Sequence, residues 1–190
     1  FATEGLRPQD RFEKWRSIFN GVNEIEAPEA SRLSFDGRSE HWRIGPFLFG
    51  VSHNPKRRIV RDVDRIRQDD LDHWAIRLSH TTTCGYQIGD HGLHCRPGMV
   101  AITSLAQGYI EENSGGEGIG LIFARDAYPD LTLRLEALGP DALLQSTMGA
   151  LFGDFLISLS LRMRSVTADE VPALADMIHA MLLGCLPRRK

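Results

Sequence analysis

Trp74-Ala75-Ile76-Arg77-Leu78-Ser79, followed by Cys84-Gly85-Tyr86-Gln87-Ile88-Gly89-Asp90-His91-Gly92-Leu93-His94-Cys95-Arg96-Pro97-Gly98-Met99-Val100-Ala101-Ile102-Thr103, is the stretch from which the fold is read. Trp74, Ile76 and Leu78 alternate with Ala75, Arg77 and Ser79, the period-2 pattern of a half-buried strand. Gly89-Asp90 is a tight-turn signal, and His91, Leu93 and Cys95 alternate beyond it. At the next turn Pro97 presets φ and Gly98 supplies a φ that other residues avoid. Met99 to Thr103 then suits a short strand. Short strands joined by Gly and Pro turns predict a small antiparallel barrel or sandwich.

Upstream, Phe47 to His53 reads as a strand ended by Asn54-Pro55, and His41 to Ile44 as a shorter one. Val22 to Glu26 and Ser31 to Phe35 are further strand candidates, broken by Pro28. Pro8 suits a helix start, with Phe12, Trp15 and Phe19 on one face and Gly21 at the stop. The basic run Lys56-Arg57-Arg58, with Arg61, Arg65 and Arg67, is read as a solvated strand edge and loop. Its neighbours Asp62, Asp64, Asp69, Asp70 and Asp72 neutralise much of it. Downstream, Tyr109 to Asn113 and Gly118 to Ala124 complete the strands around a glycine-rich loop, and Tyr128 to Leu138 suits a short helix.

From Asp141 the apolar period becomes 3.6. Leu144, Met148, Leu151, Phe152, Phe155 and Leu159 predict one face of a long helix. Thr167-Ala168-Asp169-Glu170 is a capping-box pattern, with Pro172 a turn further on and Asp169 the alternative cap. Leu174, Ile178, Met181, Leu182 and Cys185 carry an apolar stripe to Gly184 and Pro187. These faces cover each other, the barrel, or a second copy across a two-fold axis. The class is therefore α+β: barrel residues 1–127 with an N-terminal helix, then a helical segment, 128–190.

The chain has 190 residues, 42% apolar and 25% charged, as for an ordinary soluble domain, and its net charge of −3 gives no global reason to bind nucleic acid. No apolar run approaches the ~20 residues that span a bilayer. Cys84, Cys95 and Cys185 are an odd set without framework spacing, which suits reduced thiols in the cytoplasm.

The turn pair Gly89-Asp90 and Pro97-Gly98 resembles the cupin-type sensor barrel at the N-terminus of AraC-family transcription regulators. The likeness extends to Gly45–Val51, the arginine-rich run to Arg67, Gly120–Ala124 and Tyr128-Pro129, and so covers nearly the whole chain. The resemblance implies a cupin-like antiparallel barrel (double-stranded β-helix) that binds a small effector, and a helical segment that makes a homodimer. It also implies that DNA is read by a helix-turn-helix domain expected after Lys190, since this chain shows no such pattern.

The chemistry of the chain supports a binding module rather than an enzyme. His73, His80, His91 and His94 lie near Cys84 and Cys95, but no His-x-His pair is present, and His91 and His94 have opposite parity on a strand. No Ser sits in a Gly-x-Ser-x-Gly elbow. No metal or cofactor is expected. The alternatives are a metal-dependent cupin enzyme and a purely structural dimerisation domain. For a ligand, one parity offers Phe47, Phe49, Trp74, Ile76, Leu78 and Met99 as walls, with Tyr86; the opposite parity offers Arg77. Arg77 or His80 would anchor an aromatic or carboxylate-bearing effector, a guanidinium fork suiting a carboxylate. The dimer candidates are Leu174, Ile178, Met181, Leu182 and Cys185.

Overall fold

The computed structural model describes residues 1–138 and 144–187. Helix α1 (Pro8–Phe19) starts on its proline and buries Phe12 and Trp15. Strand β1 (Glu24–Glu26) follows. Ser31 to Phe35 is not the strand that its pattern suggests; α2 (Glu29–Leu33) occupies most of it. Pro28 directly precedes this turn with ψ of 145°, and Glu29-Ala30 continue it as good helix formers.

Among the described residues, ten strands make two five-stranded antiparallel sheets. The first has the order β2 (Arg38–Ile44), β3 (Phe47–Asn54), β10 (Gly116–Phe123), β5 (Trp74–Ser79), β8 (Val100–Ser104). The second has the order β1, β4 (Arg57–Arg61), β9 (Tyr109–Asn113), β6 (Cys84–Ile88), β7 (His91–Cys95). The two sheets face each other as a cupin-like barrel. Gly89 and Gly98 both have positive φ, 57° and 87°, which explains glycine in these two turns.

The first sheet has two unlike faces, because side chains alternate along each strand. Phe47, Phe49, Trp74, Ile76, Leu78, Val100, Ile102, Ile119, Leu121 and Phe123 share one core with the C-terminal helices. Their neighbours in sequence point into the barrel. A strand of six residues therefore serves a dry helix–sheet core and a barrel interior at once.

Helices α4 (Pro129–Glu136), α5 (Thr147–Ser160) and α6 (Val171–Cys185) cover that outer face. The change of period read at Asp141 falls outside the described residues, as does the basic end Arg188-Arg189-Lys190. The buried face of α5 is Gly149, Phe152, Gly153, Leu156 and Leu159; Met148 and Leu151, read as part of it, are exposed. The glycines explain the rotation. A Cβ on Gly153 would lie 3.6 Å from Leu78 and Val100, and one on Gly149 would collide with the Leu144 carbonyl at 2.2 Å. The helix lies against the sheet where it has least side chain. Thr167 and Glu170 form the expected capping box around a 3₁₀ turn, Ala168–Glu170, and α6 begins only at Val171. Pro172 thus falls in a first turn, where its missing N–H costs nothing. No helix among the described residues is long and apolar enough to cross a membrane.

The arginine-rich run is only in part the solvated edge that its pattern suggests: Lys56, Arg58 and Arg67 face solvent, but Arg57 and Arg61 do not. β4 is an interior strand between β1 and β9, and its alternation puts Arg57, Ile59 and Arg61 on the barrel side. Arg61 is a buried hub. It donates to the Leu105 carbonyl at 2.7 Å and the Val22 carbonyl at 2.6 Å, and forks onto Asp69 at 2.7 and 2.8 Å. Asp69 ends α3 (Val63–Asp69), so this fork ties the helix to the barrel rim. The Arg61 hydrogen bonds hold the Asp69 carboxyl below its ordinary range.

Asp69→Ala leaves the Arg61 charge buried and unpaired, and about 3–5 kcal/mol of stability should be lost in urea unfolding. The folded carboxyl has the lower pKa, so its stabilisation is full above the unfolded value near ~4 and is lost as pH falls through the folded value. Wild type and Asp69→Ala should accordingly converge in stability in acid.

Candidate functional site

The barrel is half filled and half open. On the β6–β7 side, Cys84, Tyr86, Ile88, Cys95, Ala101, Leu105 and Tyr109 pack into a second core. Burial raises the pKa of Tyr86 and Tyr109 and pushes the Cys95 thiol up to about 12, so these groups are neutral packing elements at pH 7. On the β1–β4 side a cavity of about 180 Å³ is left. Trp15 and Phe19 of α1 line one wall, with Ile25, Leu48, Ile59 and Ile122 as the other apolar parts. Its polar lining is Asn23, Ser39, His41, Ser52, Asn54, Arg57 and Arg77. Ile25 and Arg57 also line a surface cleft with Arg16, Arg32 and Lys56, which marks where the cavity meets solvent.

Parity, open in the sequence, is decided in favour of Arg77. Arg77 lines the cavity, whereas Phe47, Phe49, Trp74, Ile76 and Leu78 face away from it into the helix–sheet core. Those five are packing residues, since the helices cover their side of the sheet. Tyr86 belongs to the filled half, and Met99 sits in the turn before β8, its sulfur accepting from the Arg96 amide at 3.4 Å. His80 lies past the end of β5, paired with Glu117 at 3.4 Å. Of the dimer candidates, Ile178 and Leu182 are fully enclosed in the chain's own core; Leu174, Met181 and Cys185 border it.

The cavity's electrostatics turn on Glu111, only 2% exposed on β9. Arg77 donates to it at 3.3 Å and to the Tyr109 hydroxyl at 2.9 Å. Burial opposes the Arg77 charge, but Tyr109 and Glu111 more than offset this and raise its pKa. Arg57 has no such partner: it makes no hydrogen bond or ion pair with any described residue, and burial lowers its pKa against the pull of the same Glu111. Two guanidiniums thus face one carboxylate. Two further polar atoms in the lining are buried without a partner, Arg77 Nε and the side-chain oxygen of Asn54. Buried polar groups in native proteins are ordinarily paired, so these two atoms are available to a group that enters the cavity.

Sequence reading missed Arg57, His41 and Asn54. Arg57 carried a signal: it alternates with Ile59 and Arg61, a period that an inward strand face shares with a solvated one. His91 pairs in register with Ile88 and His94 with Gly85, which puts them on opposite faces of β7, as their parity implied. Among the described residues no group of three or more His, Cys, Asp or Glu is placed to hold a metal ion.

These features define the class as a cupin-like barrel with an open, cationic interior and a C-terminal helical cover. Among solved structures, the AraC-like transcriptional activator CuxR matches with a TM-score of 0.88 and 21% identity, over 100% of this chain and 72% of that one. The two chains share this fold. The plu4264 protein of Photorhabdus luminescens (TM-score 0.37, 13% identity, 54% of this chain, 82% of that one) and the Clostridium difficile EutQ protein (0.36, 9%, 52%, 76%) align too loosely to carry an argument. No family model matches the sequence, nor does any curated protein.

An unpaired guanidinium inside a barrel opposes folding. Arg57→Met keeps the stem and removes the charge, so it should stabilise the ligand-free chain by about 1–2 kcal/mol. A raised thermal midpoint is the expected result; a lowered one means that the Arg57 charge stabilises the ligand-free chain.

Proposed function

We propose that this chain is the effector-sensing and dimerisation part of an AraC-type transcription regulator, in the cytoplasm. A small organic anion bound in the barrel would control DNA binding by a helix-turn-helix domain expected after Lys190. The fold shared with an AraC-like activator supports the regulator class. The observation that carries the effector reading is the cavity itself, with Arg57 and Arg77 set against the single carboxylate of Glu111. An anion placed there completes the pairing, and a low-dielectric site strengthens it. Among the described residues, the neutral, buried thiols of Cys84 and Cys95 and the dispersed histidines offer no ligand set or activated thiol for catalysis, which favours a binding role.

Dimerisation is read from the outer side of the helices. Met177 is half exposed, and with Phe155, Leu159, Val166 and Leu174 it lines an apolar groove between α5 and α6; Leu151 is half exposed elsewhere on α5. A two-fold axis lets this patch cover its own copy. Ile178 and Leu182 support that surface from within.

Two measurements test the reading. In a thermal-shift screen of organic acids, at least one should raise the midpoint by binding the native state alone, and Arg77→Ala should weaken it by about 2–3 kcal/mol, the order of a charged hydrogen bond. In sedimentation, Met177→Glu should shift the chain toward monomer with its fold intact. Leu182→Glu should unfold it instead, because that position is sealed in the core. A wild-type chain that stays monomeric at high concentration removes the dimer.

A further inference from the structure

The register of the first sheet lays out a ruler inside the cavity. His41 on β2 is opposite Gly50 on β3, Gly50 is opposite Gly120 on β10, and Gly120 is opposite Arg77 on β5. All four line the cavity. They form one lateral row across four neighbouring strands, three strand spacings or about 14 Å between the outer Cα atoms. The row reads imidazole, bare backbone, bare backbone, guanidinium.

The two glycines are not equivalent. A Cβ on Gly50 would lie 2.8 Å from the His41 ring, so the imidazole is folded down over Gly50. A Cβ on Gly120 would meet nothing within 4 Å. Gly120 has no positive φ to explain it, and no neighbour excludes a side chain. Its peptide is exposed floor in the cavity, and glycine in a strand interior is a mark of close approach by something else. What lies on that floor is bounded by the imidazole on one side and the guanidinium on the other.

Size and charge narrow the occupant. An apolar cavity of about 150 Å³ takes up one benzene ring; the 180 Å³ here holds one ring with a small substituent. Arg57 and Arg77 face the one carboxylate of Glu111, while Glu24, Glu26 and Glu112 lie outside the cavity, in the surface cleft. The unpaired Nε of Arg77 is a donor that Glu111 and Tyr109 leave free, and Arg57 has its whole fork to offer.

We propose that the cavity takes a planar aromatic ring bearing a single carboxylate, laid on the Gly120 backbone with the carboxylate on Arg77 and Arg57 and the far edge against His41. This rests on the effector reading above and deepens it. The ring lies flat because the glycine floor is flat, and Trp15 and Phe19 of α1 close over it.

The test uses four probes on the 190-residue chain by titration calorimetry: benzoate, cyclohexanecarboxylate, benzamide and phthalate. Benzoate should bind with one site per chain. Benzamide, the same shape without the charge, should bind about ten- to a hundredfold more weakly, as for loss of a charged hydrogen bond. Cyclohexanecarboxylate, equally charged but thicker, and phthalate, with a second charge, should each be about tenfold weaker or worse. Gly120→Leu should abolish benzoate binding without lowering the thermal midpoint, since its side chain enters empty space. If that variant fails to fold, Gly120→Ala serves with the same sign. Cyclohexanecarboxylate binding as well as benzoate overturns the flat floor; phthalate binding better overturns the single charge. Benzoate binding to Gly120→Leu at full strength overturns the location. Silence of all four probes overturns the proposal entirely. If the wider acid screen still finds a ligand that Arg77→Ala weakens, the effector reading stands and only this one falls.

Discussion

Glu111 stands against two guanidiniums, Arg77 at hydrogen-bond distance and Arg57 without a partner of its own. The rest of the barrel interior is arranged around this shortage. Tyr86, Tyr109, Cys84 and Cys95 pack together on the filled side of the barrel, with the Cys84 thiol 3.9 Å from Glu111. On the other side the lining stays open. A chain selected only for stability would close that gap with a methyl or a second carboxylate, since a half-buried charge without a partner opposes folding by about 1–2 kcal/mol. The gap persists where small residues and a capping helix enclose it, the usual geography of a ligand site.

The same strands carry the opposite chemistry on their other face. Phe47 stacks on Tyr128 at 5.1 Å, and Tyr128 stacks on His179 of α6 at 4.3 Å. Phe123 meets both Phe47 and Tyr128 edge-on. This aromatic ladder, with the close approach of α5 at Gly153, binds the helices to the back of the sheet that floors the cavity. Gly120 touches the cavity while Ile119 and Leu121 touch the helices. The proposed ligand on the floor and the proposed partner on the helices would be separated by one sheet and by α5 and α6. That proximity is what a sensor needs, although coupling itself is a free energy to be measured and not a distance.

Arg61 plays a different part from Arg57, four positions away on the same face. Its fork is fully engaged by Asp69 and by the Leu105 and Val22 carbonyls, so it is structural. One arginine type on one strand thus serves both as a staple and as an open donor. Only the partners distinguish them.

The sequence by itself determined the architecture. Period-2 alternation around Trp74–Leu78, the Gly-Asp and Pro-Gly turns, and the later 3.6 period are local signals, because each reports a backbone geometry within a few residues. They were enough for an α+β barrel followed by helices, and for the N-terminal helix with Trp15 buried. Where local signals compete they misled, as at Ser31–Phe35, which folded as α2 behind Pro28. Alternation also shows that a strand has two faces without showing which one a helix will cover. That depends on α5 and α6, some seventy or more residues later in the chain, closing over Trp74, Ile76 and Leu78 and leaving Arg77 inside. The inward placement of Arg57, the row from His41 to Arg77, and the rotation of α5 onto its glycines are likewise facts of pairing register and packing. They arise between distant segments, and only the tertiary structure decides them.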